Sequence, residues 1–191
     1  MIDRFANLSL DLTIGEFDEM NHSFNLHQNR DQYLKRLRRK TASMFIVAAS
    51  AGPLLGSAPE DVVEQLGDYG YNLGMAFQII DDILDFNGSQ EEIGKPVGND
   101  LLQGIITLPI ILALESNNYQ SDIHELLKNF NDKSKLREVI KKIINTELIN
   151  ESFNIAKDYC DKAIDALNFL PSNESRDSLE TLVNSLKTPI N

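Results

Sequence analysis

An all-α fold follows from three features of the sequence. Its apolar residues recur mostly at spacings of three and four, the period of a helix face. Strand-like alternation of apolar and polar residues is hard to find. Only six prolines and ten glycines punctuate 191 residues, so helices can run far before they are broken. At about 150 residues per domain the length predicts one domain, 1–191. With 42% hydrophobic and 25% charged residues the balance is that of an ordinary globular chain, not a disordered one.

The elements can be placed in order. A first helix-like segment covers about 31–51 and closes at Gly52-Pro53, because proline cannot continue the hydrogen-bond ladder. A second starts after Ser57-Ala58-Pro59-Glu60 and ends at Asn87-Gly88, where glycine can take a left-handed cap. Residues 88–106 hold four glycines and one proline and form the most loop-like stretch. A short helix opens at Thr107, tolerates Pro109 in its first turn and ends near Ser116-Asn117-Asn118. Further amphipathic helices fall at about 121–130, 134–149, 151–170 and 174–187. No repeat, low-complexity tract or linker suggests a domain boundary.

Charge and cysteine usage exclude several functions. Eighteen Lys and Arg against 29 Asp and Glu give a net charge of −11, which argues against a nucleic-acid-binding surface. Any phosphorylated ligand must then be met by a local device. Cys160 is the single cysteine, so neither an internal disulfide nor a multi-cysteine zinc cage can form, and a reducing, cytoplasmic setting is expected. The opening residues MIDRFANLSLDLTIGEFDEM lack an export-signal pattern, and no run approaches the length of a membrane span.

The informative segment is LGMAFQIIDDILDF, residues 73–86. On a wheel of about 100° per residue, Leu73, Phe77, Ile80 and Leu84 fall on one flank and Met75, Ile79, Ile83 and Phe86 on the other. Gly74, Gln78, Asp81, Asp82 and Asp85 share the remaining arc. A surface helix usually carries one apolar and one broad polar face. A narrow acidic line between two apolar flanks instead predicts a mostly buried helix that directs carboxylates inward. Asp81 and Asp85 lie one turn apart near a helix C-terminus, where mutual repulsion and the helix dipole both disfavour negative charge. A hard cation offsets both costs, and Mg²⁺ takes one or two carboxylates together with waters and phosphate oxygens. A solvated helix end is the plain alternative. A calcium loop fails, because Ile83 and Gly94 occupy positions that need Asp and Glu.

The segment GMAFQIIDDILDF and the following GKPVGNDLLQGIITLP resemble the second aspartate-rich motif and lysine loop of the trans-type polyprenyl diphosphate synthases. Upstream, YLKRLRRKTASMF resembles that family's Lys-Thr helix and DLTIGEF the segment before it, so motif-level resemblance covers about 11–109. It implies an isoprenoid-synthase-type helical bundle. It also implies a prenyltransferase that condenses an allylic diphosphate with isopentenyl diphosphate with the help of Mg²⁺. By the same resemblance Asp81, Asp82 and Asp85 are metal residues, with Asp81 the direct ligand and Asp85 behind it or hydrogen-bonding. Lys40, Thr41, Gln78 and Lys95 contact the diphosphate, and Asp100 orders the loop. Taken alone, the basic run at 35–40 and a lysine in a Gly/Pro loop are unremarkable. His22, His27 and His124 have no partners at ligand spacing.

Two departures qualify the resemblance. The family's first aspartate-rich motif and its N-terminal basic residues are not found in these 191 residues. A truncated domain is therefore expected, resembling the C-terminal part of a heptaprenyl-type catalytic subunit. Its apolar flanks at 73–86 would be short of partners. Ile105 stands where many relatives carry a lysine. The expected partner is a second synthase chain, in a homodimer or a heterodimer. The alternative is a non-catalytic diphosphate- and metal-binding or regulatory subunit, or an inactive remnant.

Overall fold

Helix-favouring sequence with few breakers gives helix nearly throughout. The computed structural model describes residues 1–87, 98–116, 118–119, 121, 123, 125, 132–144 and 147–187, and among them there is no strand. The chain divides into two compact units: Met1–Phe17, Lys35–Gln78 and Ile155–Asn191 form the first, Asp18–Leu34 and Ile79–Asn154 the second.

The helix α1, Ile2–His22, is one that the sequence pattern does not announce. Its Ile2, Phe5, Leu10, Phe17 and Met20 are all more than half exposed and only Gly15 is buried, so it has no buried stripe at helical period. The segment expected at 31–51 is continuous but not uniform. Helix α2, Arg30–Leu37, passes into a π-helical turn, Arg38–Ala42, and then into α3, Ser43–Leu55. Pro53 lies inside the last turn of α3 rather than stopping it. There its missing N–H costs one bond, while the Gly52 and Pro53 carbonyls accept the N–H groups of Gly56 and Ala58 at 3.0 and 2.9 Å.

Helix α4, Glu60–Asn87, begins and ends where the sequence predicts. Within 88–106 the described part holds one short helix, α5, Asn99–Leu102. Helix α6, Leu108–Glu115, follows Thr107 at the cap position with proline in its first turn, as expected. The helix expected at 121–130 lies largely outside the described residues. Helix α7 is Lys133–Ile144 and α8 Glu147–Asp165. The boundary expected near 150 comes earlier, because α8 carries one buried stripe through Leu148, Ser152, Ala156, Cys160 and Ala163. Helix α9, Glu174–Leu186, is capped by Asn173, whose side chain accepts the Arg176 N–H at 3.0 Å. Asn173→Ala should cost about 1 kcal/mol, read as a lower urea midpoint at unchanged slope.

In the first unit the core joins Tyr69, Leu73 and Ala76 of α4 to Cys160 and Ala163 of α8, Leu167, and Val183 of α9. The Tyr69 hydroxyl donates to the Leu179 carbonyl at 3.0 Å, and burial pushes this phenol up to about 12. The second unit buries Tyr33 of α2, Ile79, Ile83 and Phe86 of α4, Leu101 of α5 and most of α6. Of the two apolar flanks expected on α4, Met75, Ile79, Ile83 and Phe86 are buried throughout, whereas the other contains Phe77 at 44% exposure. Phe77 rests on Phe45 of α3, ring centroids 5.5 Å apart.

Candidate functional site

In the first unit the π-helical turn carries Lys40 and Thr41. A π-turn widens the backbone by one residue and so re-aims side chains that a regular helix would stagger. The Thr41 hydroxyl, nearly buried, donates to Gln78 Oε1 of α4 at 2.7 Å. That bond fixes the amide orientation, with the carbonyl end on Thr41 and the NH₂ end as the donor. The Lys40 ammonium lies 3.6 Å from Glu16 of α1. Helix α1 approaches so closely here that a Cβ at Gly15 would stand 2.8 Å from the Lys40 backbone nitrogen. Three of the expected diphosphate residues, Lys40, Thr41 and Gln78, are thus ordered within one unit. Lys95 lies outside the described residues.

In the second unit the three aspartates at the end of α4 differ sharply in their surroundings. Asp81 is exposed. Asp82 is 5% exposed and accepts a hydrogen bond from the fully buried Tyr33 hydroxyl at 2.7 Å. Asp85 accepts the backbone N–H groups of Asn99 and Asp100 on its two carboxylate oxygens, at 3.1 and 3.0 Å. Its own carbonyl accepts the Gly98 N–H at 2.8 Å. Asp85 therefore ties the chain after the loop back onto the acidic helix end. Asp100 joins that knot through its backbone, its carbonyl accepting the Ile105 N–H at 2.8 Å. Ile105 is half-buried there.

Tyr33 was not among the residues singled out from the sequence. Its only signal was its place at the head of YLKRLRRKT, which by itself looks like a core position. Glu16 likewise stands in DLTIGEF without a chemical signature of its own.

Among the described residues no group of three or more His, Cys, Asp or Glu side chains could enclose a metal ion. The described residues therefore form no all-protein cage. One outward carboxylate, Asp81, does suit Mg²⁺, which keeps several waters and takes phosphate oxygens alongside one or two carboxylates. Cys160 has no part in this chemistry, since it is buried and its burial raises the thiol above its usual range. No helix among the described residues is long and apolar enough to cross a membrane.

The polyprenyl synthetase family model matches residues 1–146. Component 2 of the heptaprenyl diphosphate synthase of Bacillus subtilis is 37% identical over 173 residues, covering 91% of this chain and 49% of that protein. The crystal structure of heptaprenyl diphosphate synthase from Staphylococcus aureus superimposes with a TM-score of 0.88 at 29% identity, covering 97% of this chain and 58% of the other. A polyprenyl synthase from Caulobacter crescentus, complexed with calcium and isoprenyl diphosphate, gives 0.88 at 31% identity over 98% of this chain and 58% of that one. The chain thus spans about half the length of the curated relatives it matches. The all-helical isoprenoid-synthase fold is shared with these structures, and the chain belongs to the polyprenyl synthetase family.

Proposed function

We propose that the chain serves polyprenyl diphosphate synthesis, the Mg²⁺-dependent condensation of an allylic diphosphate with isopentenyl diphosphate. In that reaction the allylic C–O bond breaks with its electron pair leaving on diphosphate, the isopentenyl double bond forms the new C–C bond, and a proton is lost. The observation that carries this reading is the acidic end of α4, where Asp82 and Asp85 bind the fold and Asp81 is presented outward. The complex of the Caulobacter relative with a divalent cation and isoprenyl diphosphate supports it.

The residues divide the work. Asp81 would hold Mg²⁺, which when bound offsets the charge of the diphosphate leaving group. Lys40 supplies fixed positive charge to the departing diphosphate, and Lys95 a second one. Gln78, its carbonyl end held by Thr41, has amide N–H donors to offer a diphosphate. Such preorganised groups stabilise the transition state more than the ground state, because negative charge on the diphosphate grows as the bond breaks. Asp85 and Asp100 order the chain that follows the loop. A second synthase chain, identical or different, is the proposed partner, as the name "component 2" of the Bacillus relative suggests. A cytoplasmic setting is part of the proposal, since the one cysteine, Cys160, can form no internal disulfide.

Incubation with allylic diphosphate, labelled isopentenyl diphosphate and Mg²⁺, alone or with a second synthase chain, should give a labelled, solvent-extractable prenyl product. Absence of product in both mixtures would overturn the catalytic reading. If Mg²⁺ with diphosphate still raised the melting temperature, the chain would be a binding or regulatory subunit. Ligand at about 100 times its Kd adds about 2.7 kcal/mol to stability, which a melt detects.

A further inference from the structure

The geometry points to Tyr33 as a positioning residue for the acidic end of α4: its buried hydroxyl pins Asp82 inward and thereby holds the neighbouring Asp81 carboxylate in its outward, cation-facing place. The inference rests on the reading of Asp81 given above, and adds a residue that the reading does not use.

Three observations lead to it. The Tyr33 hydroxyl donates to Asp82 Oδ2 at 2.7 Å, the most favourable distance for an O–H···O bond. Both groups are buried, Tyr33 completely, so water cannot substitute for the bond if it is lost. And Asp81 and Asp82 are consecutive on one helix, so their side chains diverge by about 100°. Here Asp82 is buried and Asp81 is exposed, so a bond that fixes the rotation of the helix end through Asp82 fixes the direction of Asp81 as well.

The segment also needs an anchor. Asp81, Asp82 and Asp85 crowd the C-terminal turns of α4, where each charge is repelled by its neighbours and by the carbonyl end of the helix. Asp85 is fastened by backbone N–H groups from α5. Asp82 is fastened by a side chain from α2, at the other end of the sequence separation, 49 residues away. A hydrogen bond made directly to a metal's ligand changes metal affinity about 10- to 100-fold; the Tyr33 bond acts one residue further off, through the backbone of the helix, so the expected effect lies at or below the lower end of that range.

The test is calorimetric titration of preformed Mg²⁺–diphosphate onto the protein and its variants, at a temperature where each melts as fully folded. Tyr33→Phe removes only the hydroxyl. It should weaken Mg²⁺–diphosphate binding about fivefold to tenfold while retaining a cooperative melt. A merely structural hydroxyl would lower the melting temperature and leave the affinity of the folded protein unchanged, and that result overturns the inference. Should Tyr33→Phe not fold, Asp82→Asn carries the test: the neutral amide is a weaker acceptor for the Tyr33 hydroxyl, so Mg²⁺–diphosphate binding should fall while the melt stays cooperative, and unchanged affinity in the folded variant would overturn the inference. Asp81→Ala separates the two levels of the argument. If it leaves binding unchanged, the metal reading of the helix end fails; if it abolishes binding while Tyr33→Phe changes nothing, only the role of Tyr33 fails.

Discussion

Replacing Lys40 with glutamine is expected to lower turnover about a hundredfold to a thousandfold, the usual cost of removing one fixed group that stabilises charge developing in a transition state. The loss should fall on kcat more than on KM, because the diphosphate carries more negative charge as it departs than when it arrives. Stability should barely change. The ion pair with Glu16 spans 3.6 Å between side chains 37% and 59% exposed, and pairs of that kind contribute about 0–1 kcal/mol. What seats α1 on the turn is backbone contact, with Gly15 against the Lys40 nitrogen and Cα, and glutamine leaves that contact intact. For a chain of this size about 1 kcal/mol moves the melting temperature by about 2–4 °C, which sets the largest expected shift. Steady-state kinetics with labelled isopentenyl diphosphate and a calorimetric melt of the same preparation check both halves. A rise in KM alone would make Lys40 a ground-state binding residue, and a melt lowered by ten degrees would make it structural.

The sequence discloses those parts of the molecule that obey a single local rule. Helix α4 is bounded by Pro59 and Asn87-Gly88 and carries period-3.6 apolar flanks, so its limits and its line of polar residues were legible. Thr107 and Pro109 at the head of α6 were legible for the same reason: cap and first-turn chemistry are written in adjacent residues. Helix α1 was not, because its apolar side chains are spread around the helix instead of lining one buried face. Nor was the π-turn Arg38–Ala42, whose Lys40 backbone lies close against Gly15 of α1. In the candidate site, the acidic residues were visible and the family resemblance set Asp81 apart from Asp85, but the inward role of Asp82 was not legible. Nothing local distinguishes Asp81 from Asp82; Tyr33, 49 positions from Asp82, does. Long-range partners of this sort are the part that spacing cannot supply.

Gly70→Val should be among the most destabilising single changes in the first unit, lowering stability by about 3 kcal/mol and the melting temperature by about 6–12 °C. The reason is the close crossing of α3 and α4. A Cβ at Gly70 would overlap the Phe45 carbonyl oxygen, with the Phe45 carbonyl carbon 2.8 Å and the Ala49 Cβ 3.0 Å away. These are mostly backbone atoms, so no side-chain rotation relieves the overlap and the helices must part. Alanine already meets this obstacle, at a cost of about 1–3 kcal/mol for overpacking. Its better helix propensity returns at most about 1 kcal/mol. The steric term wins, and valine adds two methyl groups to it. Gly52→Ala, in the exposed part of α3 with nothing within 4 Å of the added Cβ, keeps the propensity gain without the overlap. It should stabilise by about 0.5–1 kcal/mol. Calorimetric melts of Gly70→Val, Gly70→Ala and Gly52→Ala should therefore show opposite signs for the same chemical change at two positions; the same sign at both would refute the packing argument. The consequence reaches the site, because one turn further along α4 a Cβ at Gly74 would stand 2.7 Å from the Cα of Ala42, the residue next to Thr41. The narrow spacing of these helices is what lets the Thr41 hydroxyl reach Gln78 at 2.7 Å. Parting them in Gly70→Val should release the Gln78 amide and cost turnover even at temperatures where the variant is still folded.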